Sequence, residues 1–598
     1  ELTNNICPHF NTYLCFSLEI LQNPIPMNRT LFLSIFSFGG LFCAAQQPPE
    51  VPRQDFSAPM AHKRVLAGTF GELRDGHFHS GDDFKTQFVV GKEILAPADG
   101  SVVRVSVSHG GYGKALYLRH PNGYTTVYGH LNGFAPKIDP VVHAGQYAKR
   151  SYAVNIEIPE GEIPVEKGEL VAWSGNTGGS MGPHLHFEVR RTRDNLAMNP
   201  LLFGFSVDDH RAPTLNGLYL MNLEGSDSLE TRSEPRRIVF EKGREHARVK
   251  ASGRVAFLVD AYDTMDDAPN HNGVYGIDLY VDGQKAYGMR MDGFYFEHTG
   301  LIDRHIAYDY YIRKGVRLVK CYVEPFNRLT LYDTLCTASP ILEMTPGSQH
   351  EVRIEIRDLA GNVTRRSVTV MGSTSPQEYQ PRHTATPTDH SFLVYFDAQR
   401  YNRIQYGRFR ADFPAGTFYK SLYFDFEPID SMTFRLHNRS VPLQKPFTVQ
   451  FDIRHLPLQW QQKAVVARPY PRRDGSVSYG FLGGKVSEGQ LTLRTSTPGT
   501  FTVALDTIPP SIEKGSWRSG EKLPGRYLRM YIRDGQTGIA SFDAYIDGRW
   551  VLMEYEYKRR GLTLDTQREN IAPGRHTLRL EVTDGVGNRS VFEDVFVR

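Results

Sequence analysis

Two histidines separated by a single residue, His184 and His186, lie in an apolar stretch that alternates like a β-strand. Because neighbouring side chains of a strand point to opposite faces, the two imidazoles would share a face. Such a pair can direct two nitrogen ligands towards one metal ion. H-x-H is short enough to occur by chance, so its meaning depends on further ligands elsewhere in the chain.

Candidate partners occur upstream, in the segment Gly76–Phe84, which contains His77, His79 and Asp83. In a straight strand the last two would share a face but lie roughly 13 Å apart, too far for one ion. The chain must therefore turn between them, and Gly81 permits a turn at little steric cost. Local spacing alone does not choose between His77 and His79 as the ligand.

His79, Asp83 and His186 would together form a His-Asp-His ligand set. Three protein ligands and one open position are the usual layout of a catalytic zinc site. Imidazole and carboxylate suit zinc, although the order of metal affinities leaves other divalent ions open. The motif H-E-x-x-H is absent from the sequence, which argues against a thermolysin-like site.

The stretch from about Leu66 to Arg190 resembles the lysostaphin-type (LytM-like) zinc metallopeptidases, which cut peptidoglycan peptides. Four pieces carry the resemblance in order along the chain, namely His79–Asp83 (H-x-G-x-D), Ala96–Gly100, Gly123–Leu131 and Ser174–Glu188. The resemblance covers about a fifth of the chain. It implies an antiparallel β fold for this part and a single bound zinc ion.

The resemblance also implies a role for each site residue. His79, Asp83 and His186 bind zinc, and it is the family pattern that selects His79 over the histidine two residues earlier. His184 is the general base for the zinc-bound water, and His130 polarises that water or stabilises the developing oxyanion. Zinc lowers the pKa of bound water to about 7, and a histidine base is suited to that pH.

Other polar residues beside these motifs have structural explanations. We expect His77 to line the groove wall and Asp82 to be a solvated neighbour of the ligand Asp83. His120 lies in a turn-like stretch and is expected at the surface. His143 lies in an insertion and is expected to be exposed to solvent.

The segment Asn132–Glu169 is longer than the family pattern requires. Within it, Tyr152–Ile158 alternates like an additional strand. The insertion is therefore expected to narrow or cover the substrate groove.

Length and composition describe ordinary globular material. The 598 residues are 40% hydrophobic and 12% aromatic, with a net charge of +3, and should form three to five domains. The near balance of charge and the lack of a long basic run argue against nucleic-acid binding. Slight basicity is compatible with an anionic cell-wall polymer as partner.

The amino terminus has the pattern of a targeting segment. A short basic region, Met27–Arg29, precedes an apolar core, Leu31–Phe42, and small residues at Cys43–Ala45. This pattern predicts a secretory signal peptide at 27–45, with residues 1–26 as upstream sequence. No other apolar run approaches 20 residues, so no transmembrane helix is expected. We expect an exported protein, in the periplasm or at the cell surface.

Beyond residue 205 the sequence alternates in the manner of β-sandwiches. His350–Asn362 matches His576–Asn588, each a strand followed by an Asp-x-x-Gly-Asn turn. The repeat predicts an immunoglobulin- or fibronectin-like sandwich in each copy. The predicted parts are an upstream segment plus signal peptide (1–45), a LytM-like peptidase domain (46–205), a first Ig-like sandwich (206–372), a linker and β-rich domain (373–505) and a second Ig-like sandwich (506–598).

The Asp-x-x-Gly-Asn loops raise the question of calcium binding. A turn explains them, and calcium requires about six or more oxygen ligands, so we favour a spacer role for these modules. They would hold the peptidase near its target, with envelope proteins as possible partners. Cys321 and Cys336 leave two alternatives open, one disulfide or two free thiols.

The sequence thus predicts a mainly β, secreted zinc metalloendopeptidase that acts on peptidoglycan stem peptides or cross-links. One alternative is a non-catalytic peptidoglycan-binding regulator, because the family includes members with degenerate zinc sites. This chain keeps every presumed ligand and both assisting histidines, which argues against that alternative. Another is a scaffold in which the β modules carry the function.

Overall fold

The computed structural model describes residues 56–223, 234–374 and 391–598. The predicted signal peptide and most of the predicted linker lie outside these ranges. We refer to residues 56–205 as module 1, 206–374 as module 2, 391–505 as module 3 and 506–598 as module 4. The described chain is mainly β, with mostly antiparallel sheets, as predicted.

Module 1 is built on one large antiparallel sheet. Its main path runs β1-β2-β11-β6-β5-β4-β8, and a second sheet has the order β3-β10-β7. The strands are β1 (Leu66–Gly68), β2 (Asp82–Lys85), β3 (Glu93–Leu95), β4 (Gly100–Val107), β5 (Lys114–Arg119), β6 (Tyr124–Gly129), β7 (Gly133–Phe134), β8 (Val154–Glu157), β9 (Pro164–Val165), β10 (Leu170–Trp173), β11 (His184–Arg191) and β12 (Leu196–Met198).

The strands at the centre of this sheet are covered on both faces. Nearly every residue of β5, β6 and β11 is buried, whichever face its side chain points to. Leu185, Phe187 and Val189 of β11 belong to the main apolar cluster of module 1. Strand β11 is therefore closely packed and largely shielded from solvent.

The insertion Asn132–Glu169 contains a helix, α1 (Asp139–Lys149), as well as the predicted extra strand, which is β8. A proline in the first turn favours the start of α1, and Arg150 ends it in the left-handed conformation. This helix contacts module 4. Tyr147 packs against Trp550 of module 4, and Asp139 pairs with Arg568 of module 4.

Module 2 has two five-stranded sheets. Its elements are β13 (Thr214–Asn222), β14 (Arg236–Arg237), β15 (His246–Ala251), β16 (Gly253–Tyr262), β17 (Gly276–Val281), β18 (Gln284–Arg290), β19 (Gly293–Tyr295), a 3₁₀ helix (Phe296–Leu301), α2 (Ile302–His305), α3 (Tyr308–Lys314), β20 (Val319–Lys320), β21 (Leu342–Met344), β22 (Gln349–Arg357) and β23 (Val363–Gly372). Cys321 and Cys336 are free thiols in this structure.

Main-chain pairing joins modules 1 and 2. Strand β19 pairs with β12 and so extends the large sheet of module 1. Phe70 and Phe78 of module 1 are buried in the apolar cluster of module 2. The two modules therefore share both a sheet and a core.

Module 3 contains a six-stranded and a five-stranded sheet around a phenylalanine-rich core. Its elements are β24 (Phe392–Phe396), β25 (Asn402–Tyr406), β26 (Phe409–Phe413), β27 (Leu422–Pro428), β28 (Phe434–Leu436), β29 (Phe447–Asp452), α4 (Leu458–Gln461), β30 (Ala464–Pro471), β31 (Val477–Gly483), β32 (Lys485–Ser487), β33 (Gln490–Thr495) and β34 (Gly499–Leu505).

Module 4 contains two four-stranded sheets. Its strands are β35 (Ser511–Lys514), β36 (Tyr527–Arg533), β37 (Ile539–Ile546), β38 (Arg549–Val551), β39 (Glu554–Glu556), β40 (Gly561–Asp565), β41 (Arg575–Asp584) and β42 (Arg589–Val597). Both copies of the sequence repeat form hairpins, β22–β23 in module 2 and β41–β42 here. No helix in the described parts of the chain is long and apolar enough to cross a membrane.

Candidate metal centre

Neighbouring strands bring the predicted site residues together. Asp83 on β2 and His186 on β11 are direct cross-strand partners. His186 is also paired with Gly129, the last residue of β6, and His130 follows at once. The chain bends at Gly81, so that His79 returns to the same place.

Three donor atoms converge at this point. His79 Nε2 lies 3.1 Å from His186 Nδ1 and 3.2 Å from Asp83 Oδ1, and the last two atoms are 2.9 Å apart. Tetrahedral zinc with bonds of about 2.0–2.1 Å would separate its ligand atoms by about 3.3 Å. The donor set and its spacing therefore fit a single metal ion.

Each histidine of this set is oriented by its other ring nitrogen. His79 Nδ1 donates to the carbonyl of Thr69 at 2.8 Å. His186 Nε2 lies 2.8 Å from the carboxylate of Glu188, which leaves Nδ1 for the metal. Hydrogen bonds of this kind fix the ring and its tautomer before a metal arrives.

His184 and His130 face the same centre. His184 Nδ1 donates to Gly182 O at 2.8 Å, and its Nε2 lies 3.4 Å from Asp83 Oδ1. His130 Nδ1 donates to Thr177 O at 2.9 Å, and its ring centroid is 4.8 Å from that of His184. In both rings the backbone holds Nδ1, so the unshared pair of the neutral imidazole is on Nε2.

The electrostatics of the site favour an anionic carboxylate and a neutral assisting ring. Burial alone would raise the pKa of Asp83, but the three surrounding histidines outweigh it and hold that pKa well below its usual range. Burial, together with the neighbouring His186 and His184, lowers the pKa of His130 to about 3. His130 is therefore a hydrogen-bond acceptor at Nε2 at neutral pH.

Comparison with known protein families finds a match in module 1. Residues 77–151 match Peptidase family M23. This match lies in module 1, where the sequence predicted a resemblance to LytM-like peptidases, and module 1 is called the M23 domain from here on. Residues 394–506, which include nearly all of module 3, match the Zu5-like domain; the sequence patterns had identified this region only as β-rich.

Several curated proteins resemble the M23 domain. An uncharacterised metalloprotease of Haemophilus influenzae is 40% identical over 123 residues, 21% of this chain and 20% of that protein. The DD-carboxypeptidase/endopeptidase Mpg of Neisseria meningitidis is 33% identical over 137 residues, 22% of this chain and 25% of that protein. The peptidoglycan DD-endopeptidase ShyB of Vibrio cholerae is 35% identical over 111 residues, 19% of this chain and 20% of that protein. The chain spans a fifth to a quarter of the length of these relatives.

Two further histidines near the M23 motifs, His77 and His120, differ in their exposure to solvent. His77 is exposed and its Nδ1 donates to Asp75 O, away from the metal ligands. The expectation of surface exposure was wrong for His120, which is buried with its ring nitrogens bonded to Asp99 O and Thr126 Oγ1. Its buried bonds make it a structural histidine.

Two further expectations of exposure were also wrong. Asp82 is fully buried because strand alternation turns it to the face opposite Asp83. His143 lies on α1, where its Nε2 is 3.2 Å from the buried carboxylate of Glu569 in module 4. The contact explains why this histidine is only partly accessible.

The sequence analysis assigned no role to Glu188, a buried carboxylate that is bonded to His186. Glu188 is fully buried and accepts hydrogen bonds from Ser80 and Tyr112, and Arg190 pairs with its second oxygen. A signal was available, because Glu188 stands two residues after His186 and so shares its face of β11.

The sequence analysis also did not identify an ion pair, Arg74 with Glu72, that lies beside Asp83. Arg74 Nη2 lies 3.0 Å from Glu72 Oε2 and 3.5 Å from Asp83 Oδ2. Both side chains lie in the loop before His79, where no pattern in the sequence marked them. They add a charged pair to one side of the site.

Proposed function

We propose that this protein is a zinc metalloendopeptidase that hydrolyses peptide bonds in the stem peptides or cross-links of peptidoglycan. The observation that carries the proposal is the convergence of His79, Asp83 and His186 beside two further histidines. His184 Nε2 lies 3.4 Å from Asp83 Oδ1, and the His130 ring packs against the His184 ring. The M23 family match supports a peptidase. The relative named as a peptidoglycan DD-endopeptidase supports the substrate, and a protein that acts on this polymer would work outside the cytoplasm, in the periplasm or at the cell surface.

The ligand residues and the assisting histidines have separate tasks. His79, Asp83 and His186 would hold zinc, which polarises the scissile carbonyl and lowers the pKa of water to about 7. His184 Nε2 accepts the proton of the attacking water, because its Nδ1 is occupied by Gly182 O. The proton is later delivered to the leaving amine by the same nitrogen.

The neutral state of His130 defines what it does in this scheme. With Nδ1 donating to Thr177 O, its Nε2 accepts a hydrogen bond and does not donate one. His130 therefore orients the attacking water. Of the two roles implied by the family resemblance, polarising the water agrees better with this geometry than stabilising an oxyanion.

Digestion of purified peptidoglycan, with mass analysis of the products, tests the proposal. We expect cleaved peptides, loss of cleavage on metal removal and recovery with zinc. His184→Ala should lower kcat by about 10²- to 10⁴-fold, the usual contribution of a general base. His79→Ala should abolish both metal binding and cleavage. His77→Ala, two residues away and exposed, is the matched control and should cleave normally.

The opposite result would identify a different function. Intact stem peptides together with retained binding to the polymer would contradict the peptidase and support a non-catalytic wall-binding regulator. Equal activity in His184→Ala and His77→Ala would contradict the assignment of the base while leaving the metal site in place.

A further inference from the structure

Three aspartates of module 2 meet at its junction with the M23 domain. Asp209 precedes β13, Asp263 follows β16 and Asp358 follows β22. One carboxylate oxygen from each lies within 4.8 Å of the others. Asp263 and Asp358 are buried, and Asp209 is partly buried. Three segments far apart in sequence thus bring three like charges together.

In the described residues, these carboxylates accept hydrogen bonds from neutral groups. Asp209 and Asp263 accept one each, from the backbone amides of Arg211 and Thr264. Asp358 accepts from the backbone amides of Gly361 and Asn362 and from the side-chain amide of Asn362. Within the described residues, no lysine or arginine forms an ion pair with any of the three. Burial, and then the neighbouring Asp209 and Asp358, raise the pKa of Asp263 to about 7. Like charges this close oppose one another unless a cation or a proton separates them.

A fourth aspartate, from the M23 domain, faces the same space. Asp82 has no solvent exposure, and its Oδ1 accepts from Phe70 N at 2.9 Å. Its Oδ2 has no hydrogen-bond partner in the described structure. Asp82 lines a cavity of about 170 Å³ whose walls also include the three aspartates of module 2. A buried, unpartnered carboxylate oxygen is costly unless something fills the space before it.

We propose that this cavity binds a divalent cation, calcium, through Asp209, Asp263 and Asp358, with Asp82 facing the ion from the M23 domain. Calcium prefers carboxylate and water oxygens and accepts six to eight of them in flexible geometry. Magnesium demands a strict octahedron and is usually bound through one or two carboxylates, so three point to calcium. The cavity has room for the water molecules that complete the ligand shell.

Module 4 contains a matched cluster that serves as a control. Asp506, Asp534 and Asp584 also lie within 4.8 Å of one another, and Asp584 is the repeat partner of Asp358. Asp584 accepts from two backbone amides and an asparagine side chain, as Asp358 does. The other two aspartates of module 4 accept more hydrogen bonds than Asp209 and Asp263 do. Asp506 Oδ2 accepts from the amide and hydroxyl of Thr537, and Asp534 Oδ2 accepts from two backbone amides. This cluster therefore has less unused acceptor capacity than the cluster in module 2.

Because residues of modules 1 and 2 line the cavity, an ion bound there would also affect the M23 domain. Asp82 is adjacent to Asp83 on β2, and β12–β19 pairing joins the two modules beside it. An ion that binds both modules stabilises their junction in proportion to its concentration above Kd. Calcium would thus stabilise the contact between module 2 and β2, the strand that carries the proposed zinc ligand Asp83.

Calcium titration of the full chain, dialysed against calcium-free buffer, tests the proposal by calorimetry and by the shift in Tm. We expect one calcium ion with a Kd on the order of 10⁻⁴–10⁻³ M, typical of extracellular modules. Asp263→Asn should weaken binding at least tenfold, and Asp82→Asn should weaken it measurably. Asp534→Asn, the matched change in module 4, should leave the affinity within twofold.

The outcomes that overturn the proposal are distinct. Absence of heat and of any Tm shift at several millimolar calcium removes the site. Undiminished binding in Asp263→Asn, or equal loss in Asp534→Asn, places the ion elsewhere. Tm measured without calcium shows that each variant is folded, and removal of a like charge should leave it unchanged or higher.

Discussion

The two histidines of H-x-H differ in their hydrogen bonds, and this difference agrees with the separate roles proposed for them. His186 is bonded at Nε2 to buried Glu188 and presents Nδ1 to the ligand cluster. His184 is bonded at Nδ1 to a backbone carbonyl and presents Nε2. One ring is backed by a charge, which strengthens it as a metal ligand, and the other by a neutral group, which leaves it free to exchange a proton.

Replacing the charge behind His186 should weaken metal binding without unfolding the protein. Glu188→Gln keeps the shape but removes the negative charge that faces Nε2 and pairs with Arg190. We expect a loss of about 10- to 100-fold in zinc affinity, the usual effect of changing such a partner. Competition with a fluorescent zinc chelator measures it. Glu93→Gln, an exposed residue of β3, is the control. Equal zinc affinity in the two variants would show that Glu188 is only structural.

At this scale the sequence predicted the residues better than their surroundings. His79, Asp83 and His186 come together as the family pattern implied. The bonds of His120 and the burial of Asp82 were missed because each depends on which strand lies opposite, and local sequence does not state that.

At the scale of elements, the turn between His79 and Asp83 is decided by close packing. Gly81 was expected to permit a bend, and the chain does bend there. The tighter requirement is contact with β11, since a Cβ on Gly81 would lie 2.3 Å from Phe187 O. Only glycine allows the turn to lie this close to the strand that carries His186.

A single methyl group at this position should therefore disturb the metal centre. Gly81→Ala must push the turn away from β11, at a cost of about 1–3 kcal/mol for an overpacked site. We expect a lower Tm and weaker zinc binding, measured by thermal unfolding and chelator competition. Gly110→Ala is the control, because nothing lies within 4 Å of the added Cβ. Gly81→Ala with normal zinc affinity would show that the turn can relax without moving His79.

Strand patterns were predictable from alternation, whereas partners across modules were not. The strand within the insertion was recognised and is present as β8. The helix α1 was not recognised. One of its faces packs against module 4, more than 400 residues away in sequence, and local periodicity does not reveal such a partner. Pairing of β19 with β12 is equally non-local, and no periodicity within either strand specifies it.

At the scale of the molecule, modules 2 and 4 contact two different segments of the M23 site. Module 2 fixes the segment before His79, where Thr299 accepts the amide of Phe78. Module 4 fixes the loop before His184, where Lys558 donates to the carbonyls of Asn176 and Ser180. The sequence predicted these modules as spacers. Their contacts show that they also hold the segments that precede two site histidines.

Removing one of these contacts tests whether module 4 positions the general base. Ser180 Oγ lies 3.1 Å from His184 Nδ1, so the loop held by Lys558 also holds the base. Charged hydrogen bonds contribute about 1.5–3 kcal/mol, less when partly exposed to solvent as here. Lys558→Ala should therefore lower kcat/KM for peptidoglycan fragments several-fold and leave zinc affinity unchanged. Lys485→Ala, on an exposed hairpin of module 3, is the matched control.

If both variants retain full kcat/KM, the loop is ordered by the M23 domain alone. If Lys558→Ala also loses zinc, the contact supports the whole site, because a loop that positions only the base has no reason to alter metal affinity.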